Sequence, residues 1–420
     1  MNTATTAQPA AAPAIEDIRA RFPTLRPLGE ADALLDNAGG SQVPRCVADA
    51  IRDYMLTNYV QLGADYETSR RSTAVVDAAH EFIKRLMNAD GAGEVILGPS
   101  STALCHILAE AYARAPRNGR DEIIVADTGH EANIGPWIRL ADRGFTVRHW
   151  KVDPQSQMCT IDNLKSALSS RTRIVAFPHV SNLLGRIEDI GAITQLAHDA
   201  GARVVADGVA YAPHRAVDVK AWSVDWYVYS TYKVYGPHMA ALYGSNDAFA
   251  ELEGPNHFFI PKDDIPYKFE LGGASHEGCA GLLALQPYLR FLAGQSESGD
   301  ADRRTIERAF KVMTALELPL QTRLLEFLNS RDDIRLIGPA ATDASRVATI
   351  AFVHPKKSSR EIAQSANAQR LGIRFGHFYA YRLCESLGIK PDDGVVRTSL
   401  VHYNTMEEVE ALIRFFEKTI

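Results

Sequence analysis

The sequence predicts an α/β fold: a mainly parallel sheet covered by helices on both faces, followed by a smaller α+β region. Three observations carry this. Short apolar runs alternate with helical patterns from about residue 45 to 245, the order expected of strands joined by crossover helices. After about residue 295 the pattern changes to one long helix and then shorter strands. At 420 residues, 46% hydrophobic and 23% charged, the chain can bury a large core and divide into two domains. The expected division is a large domain at 15–295 and a small one at 296–420, with the N-terminal segment of the first able to pack on the second. Residues 1–14 are expected to form a disordered tail, because Met1 to Pro13 is Ala/Thr/Pro-rich, uncharged and without the apolar stretch of a signal peptide.

Taken in order, the strand candidates of the first region are Glu94–Gly98, Glu122–Asp127, Thr146–Lys151, Arg173–His179, Arg203–Asp207, Trp226–Ser230 and Met239–Gly244. These are the short apolar runs of the alternation, of a length that suits strands. Helical periodicity fills Ser101–Ala115, Ile161–Ser169 and Ile190–Ala200 between them. The second region opens with a helix near Asp302–Ser330. Shorter strands follow at Ile334–Ile337, Val347–Val353, Ile373–Phe375 and Val395–Leu400, and an amphipathic helix at Met406–Lys418 ends the chain.

Charge and composition exclude some classes of function. A net charge of −6 and a pI near 6.1 offer no basic surface for nucleic acid. No apolar run reaches the length of a membrane span. Five cysteines, odd in number and without CxxC spacing, fit a reducing cytoplasm better than a disulfide frame or a zinc site. No pair of histidines has helical ligand spacing beside a carboxylate, so no metal is expected.

The chemistry concentrates at strand ends. Lys233 lies just past the run Trp226–Ser230, and Val234-Tyr235-Gly236-Pro237 then breaks the chain, which exposes the amine. Asp207 ends another strand, Arg203–Asp207. In an open α/β sheet, ligands collect at such ends. A lysine that can attack an aldehyde and a carboxylate that can hold a protonated pyridine nitrogen are what pyridoxal 5′-phosphate (PLP) asks of a protein. Alone, Lys233 reads as a surface lysine and Asp207 as a cap or turn residue; together they favour the cofactor. Ser230 and Thr231 offer hydroxyls to a phosphate. Ser100, Ser101 and Thr102 sit between a strand and an apolar helix, where free amides and hydroxyls make a phosphate cradle or simply cap the helix. His130 follows the strand ending at Asp127 and either stacks on a cofactor ring or bonds to loop backbone. Arg397 interrupts an apolar strand and either forks onto a substrate α-carboxylate or forms a structural ion pair. His257, Phe258 and Phe259 read as a packed loop rather than a pocket lining.

In this order, these segments resemble the class V aminotransferase family, especially its cysteine desulfurase-like branch, from about Leu35 to the C-terminus. Leu35-Asp36-Asn37-Ala38-Gly39-Gly40 is similar to the family's opening segment and brings Asn37 into the expected site. His130-Glu131-Ala132-Asn133-Ile134-Gly135-Pro136-Trp137 resembles the run with the ring-stacking histidine. His179-Val180-Ser181-Asn182 resembles the stretch whose asparagine lies near the cofactor's phenolic oxygen. Asp207-Gly208, Ser230-x-x-Lys233 and Arg397-x-Ser399-Leu400-x-x-Tyr403-Asn404-Thr405 complete the set. The resemblance implies a PLP-dependent enzyme of fold type I acting on an amino acid. It also implies a large domain with a seven-stranded sheet, and a homodimer with its active sites at the subunit interface.

Departures from the family pattern bear on the reaction. Arg374-Phe375-Gly376-His377-Phe378-Tyr379-Ala380 matches the frame of the desulfurases' cysteine loop, with Tyr379 where the nucleophilic cysteine would stand. Cys384, five residues on, reads as a packed thiol. Ala210, Tyr232 and Gly273 replace residues that commonly contact the cofactor or the partner subunit's phosphate. A C–S β-lyase acting on cysteine, cystine or an S-substituted cysteine needs no cysteine nucleophile and is the expected activity. An aminotransferase, an epimerase and a desulfurase remain alternatives, with a non-catalytic PLP-binding protein further behind.

Overall fold

The computed structural model describes residues 12–420, so most of the tail expected at 1–14 lies outside the described residues. Ala14 leads directly into a helix at Ile15–Arg19. The strands are β1 (Ala33–Leu34), β2 (Gly93–Gly98), β3 (Glu122–Ala126), β4 (Thr146–Trp150), β5 (Thr172–Pro178), β6 (Arg203–Asp207), β7 (Trp226–Ser230), β8 (Ala240–Ser245), β9 (Arg335–Ile337), β10 (Thr349–Val353), β11 (Leu371–Gly372), β12 (Arg374–Gly376) and β13 (Val395–Ser399).

β2 to β8 form a seven-stranded sheet in the order β2-β8-β7-β6-β5-β3-β4. Only β8 runs against its neighbours. Except at the edge strand β4, the sheet is buried on both faces, and side-chain alternation sorts its residues between two cores: Tyr227 and Tyr229 of β7 enter one, Trp226 and Val228 the other. Strand order reverses direction between β3 and β5, the switch point beside which open α/β sheets bind ligands.

A four-stranded antiparallel sheet, β12-β13-β10-β9, packs in the C-terminal region with the helices Arg303–Asn329 and Met406–Thr419 around its own apolar core. β1 pairs in parallel with β11, joining Ala33 to Leu371 and Leu34 to Gly372. The N-terminal segment is thus laced to the C-terminal region, and residues 36–42 run between the two sheets. The helices Arg45–Thr57 and Glu67–Met87 had no individual assignment from the sequence. Among the described residues, no helix is long and apolar enough to cross a membrane.

Candidate active site

The C-terminal ends of the parallel strands converge on two adjoining cavities that share His130, Asn182, Tyr232 and Lys233. The inner one, about 70 Å³, is lined by Ser100, Ser101, Thr102, His130, Asn182, Asp207, Ala210, Ser230 and Tyr232 as well as Lys233. The outer one, about 470 Å³, is bounded by Ala38 and Gly39, by Arg374 through Tyr379, and by Arg397.

Each wall of the inner cavity has a local cause. Ser100 caps the helix Ser101–Arg114 by accepting from Ala103 N at 3.1 Å, which leaves the first-turn amides of Ser101 and Thr102 without intrahelical partners. The Ser101 and Ser230 hydroxyls lie 2.7 Å apart, tying that helix start to the end of β7. Asp207 ends β6, and Gly208 lets the chain turn there: a Cβ at Gly208 would lie 2.2 Å from the Tyr227 ring. Asp207 Oδ1 accepts from Val209 N at 2.9 Å. Burial pushes its pKa up to about 6, against the pull of that hydrogen bond and of Lys233. Burial lowers the Lys233 pKa to about 8; the Arg397 charge adds to the effect and Asp207 opposes it. His130 is lowered to about 4 by burial and by the Lys233 and Arg397 charges, so its imidazole is neutral at pH 7. Its Nδ1 accepts from Ala132 N at 3.0 Å, which fixes the ring on the cavity wall.

Arg397 is both an ion pair and a cavity residue. Its guanidinium reaches Asp36 at 3.0 Å, its Nη1 is 3.4 Å from Asn182 O, and its Nε is buried without a partner. The Phe378 ring covers it at 3.7 Å. Asn182 Nδ2 donates to Phe378 O at 2.8 Å while Oδ1 is buried and unpartnered. Two orphaned polar atoms at the junction of the cavities mark a place shaped for a polar ligand. Phe378 (φ +48°) and Tyr379 (φ +61°) are both left-handed. That turn is held by Tyr379 N donating to His377 Nδ1 at 3.0 Å and Glu131 N donating to Tyr379 O at 2.9 Å. It sets the Tyr379 ring 5.1 Å from His130.

Three expected site residues are not brought to these cavities. Thr231 is 1% exposed, and its hydroxyl donates to Pro237 O at 2.7 Å instead of facing a phosphate. Asn37 is 3% exposed and spent on structure: Nδ2 lies within hydrogen-bond distance of Leu34 O, Ser399 O and Asn404 Oδ1, and Oδ1 accepts from the Tyr403 hydroxyl. Its neighbours Ala38 and Gly39 line the outer cavity instead. Gly273 sits in open space on the loop before the helix His276–Leu283, outside both cavities of its own chain. The expected packing of the 257–259 loop is also corrected, since Phe258 is 97% and Phe259 70% exposed. Arg374 and Asp36, 3.4 Å apart, were not singled out as site residues. Asp36 could have been, because it stands in the opening segment and a buried arginine in the β13 run requires a carboxylate.

The chain matches the Aminotransferase class-V family over residues 33–412. It belongs to that family. It is 40% identical to the Aminotransferase-like protein FGM3 of Gibberella zeae, over 97% of this chain and 98% of that one. It is 33% identical to the Cysteine desulfurase-like protein ustD of Aspergillus flavus, over 94% and 88%. Among solved structures, the cysteine desulfurase CsdA of Escherichia coli superposes with a TM-score of 0.79 at 25% identity, over 97% of this chain and 98% of that one. This class V enzyme is therefore PLP-dependent and of fold type I, like its desulfurase neighbours. The inner cavity fits that cofactor: free helix amides and hydroxyls for a phosphate, a carboxylate in the floor, a flat neutral imidazole on the wall and an amine at the mouth.

Proposed function

We propose that PLP occupies the inner cavity and that the enzyme eliminates the β-substituent of cysteine, cystine or an S-substituted cysteine, releasing a thiol. The carrying observation is that no cysteine lines the outer cavity, where Tyr379 stands instead. Cys384 is buried in the helix Tyr381–Ser386, with its thiol pushed up to about 11 by burial. A sulfur-accepting thiolate is therefore missing from the place where a substrate side chain would lie.

Bound PLP would supply an electron sink that makes the substrate Cα–H acidic. Ser101, Thr102 and Ser230 would hold its phosphate, Asp207 its ring nitrogen and His130 its ring face. Asp207 suits the nitrogen because the raised carboxyl pKa falls once a cation lies beside it. Arg397, with an unpartnered Nε and a guanidinium plane fixed by Phe378, would take the α-carboxylate. The Lys233 amine, held near pKa 8, would remove the Cα proton. The Cβ–S bond breaks with its electron pair leaving on sulfur, and hydrolysis of the remainder gives pyruvate and ammonia. The Tyr379 hydroxyl, on the outer rim, would lie beside the departing sulfur. Tyr59, Phe258, Phe259 and Leu271, exposed by 53% or more, support a homodimer in which a second copy covers these loops and Gly273 faces the partner's phosphate site.

Product analysis tests the reading. The PLP-loaded protein is incubated with cysteine, cystine, S-substituted cysteines and simple amino acids, and pyruvate, thiol, alanine and keto acids are assayed together. Pyruvate and thiol without alanine are expected. Alanine with released sulfur would mean desulfuration, and keto acid with pyridoxamine phosphate would mean transamination; either overturns the elimination.

A further inference from the structure

A separate concavity, of about 310 Å³, lies at the opposite end of the parallel strands, with Arg117, Arg120, Arg173, Arg203 and Glu251 in its lining. Arg173 and Arg203 stand at the starts of β5 and β6, whose far ends carry Pro178 and Asp207. At ~3.3 Å per residue the two sites are separated by roughly 15 Å of strand. Four arginines here meet a single lining carboxylate, Glu251, which Arg203 already engages through Nε at 2.9 Å and Nη2 at 2.5 Å. Arg203 also reaches Asp225 at 2.7 Å, so it is neutralised twice.

The other three have no carboxylate partner among the described residues. Arg117 donates to the carbonyls of Gly144 and Arg143, Arg120 to those of Thr172 and Ala200, and Arg173 to that of Pro116. These bonds fix the guanidinium groups without cancelling their charge. Arg173 is the telling one: it is only 7% exposed, lies 5.3 Å from the Tyr112 ring, and its Nε is buried with no partner at all. Burial lowers the Arg173 pKa and the Arg117 charge adds to the effect, while Glu251 opposes it without pairing; a buried guanidinium so placed is costly unless an anion completes the set.

We propose that this concavity is a binding site for a compact phosphate-bearing anion such as a diphosphate group, held by Arg117, Arg120 and Arg173. Forked guanidinium donors match phosphate oxygens, and the Arg203–Glu251 pair closes one wall. The site is independent of the reaction assigned to the inner cavity.

Calorimetric titration of the cofactor-loaded protein with inorganic diphosphate at low salt tests it. Saturable binding that weakens as salt is raised is expected, together with a loss of about tenfold in affinity for each of Arg173→Gln and Arg120→Gln. Because Arg173 is 7% exposed and its replacement puts the fold at risk, Arg120→Gln and Arg117→Gln, at half-buried positions, decide the matter alone. Because PLP fills the phosphate cradle of the inner cavity, diphosphate taken up by the loaded protein reports on the arginine concavity. No binding at millimolar diphosphate, or binding untouched by the arginine substitutions, would each overturn the proposal.

Discussion

Replacing Asp207 with Asn should stabilise the empty protein and destabilise the loaded one. The aspartate is 5% exposed, and its pKa is raised from 3.8 to about 6, chiefly by burial. Between those values the folded chain keeps a proton that the unfolded chain has released, so stability attributable to this group falls as pH rises through that window. The burial cost is absent below about pH 3.8 and complete above about pH 6. A shift of two units corresponds to about 3 kcal/mol at neutral pH. Asn cannot ionise, so cofactor-free Asp207→Asn should exceed the cofactor-free parent by that order at pH 7 and match it near pH 4. Differencing the two proteins cancels the other carboxylates. Urea unfolding of both, with and without PLP, at several pH values is the assay. On loading, the order should invert, because the parent alone offers a charge to the ring nitrogen. If the cofactor-free variant is no more stable at pH 7, Asp207 is not a charge held at a cost for a ligand, and its assignment fails.

Lys233→Ala should lose at least about 10³-fold in turnover, together with the visible absorbance of bound PLP; unchanged activity would remove Lys233 from the chemistry. Capture of a test aldehyde by the cofactor-free protein should rise with pH to half its maximum near pH 8, where the buried Lys233 amine becomes neutral, and a midpoint near the ordinary lysine value of 10.5 would contradict the burial argument. Phe378→Leu removes a ring 3.7 Å from the Arg397 guanidinium and should raise KM for the amino acid about tenfold with a smaller change in kcat, recovered in Phe378→Trp. A fall in kcat at constant KM would mean that the ring acts elsewhere. Tyr379→Cys places a thiol on the outer rim and should add alanine and a protein-bound sulfur, detected by mass spectrometry, to the products.

Much of the fold was legible because local pattern and burial agree. The seven apolar runs between residues 94 and 244 became β2 to β8 with boundaries moved by no more than a residue or two, since a strand buried on both faces must be apolar throughout. The direction of β8 was not legible, because apolar composition is the same in a parallel and an antiparallel neighbour. The pairing of β1 with β11 was also hidden: two-residue strands joined across more than 300 residues leave no periodicity to read.

The site divides in the same way. Lys233, Asp207, His130 and Ser100 to Thr102 could be read from sequence because each follows a strand, and parallel strands bring their C-terminal ends together whatever the loops do. Whether a loop residue then points into the cavity or into the scaffold depends on partners distant in sequence. Asn37 turned inward because Ser399, Tyr403 and Asn404 claimed its amide, and Arg397 is paired and cavity-lining at once because Asp36 uses only part of its fork. The sequence by itself determined the layered architecture and the lysine–carboxylate pair, which follow from strand order and residue type. Tertiary structure alone decided the division into inner and outer cavities, the left-handed turn at Phe378 and Tyr379 and the arginine concavity at the opposite end of the strands, because each is assembled from segments that meet only when the chain is packed.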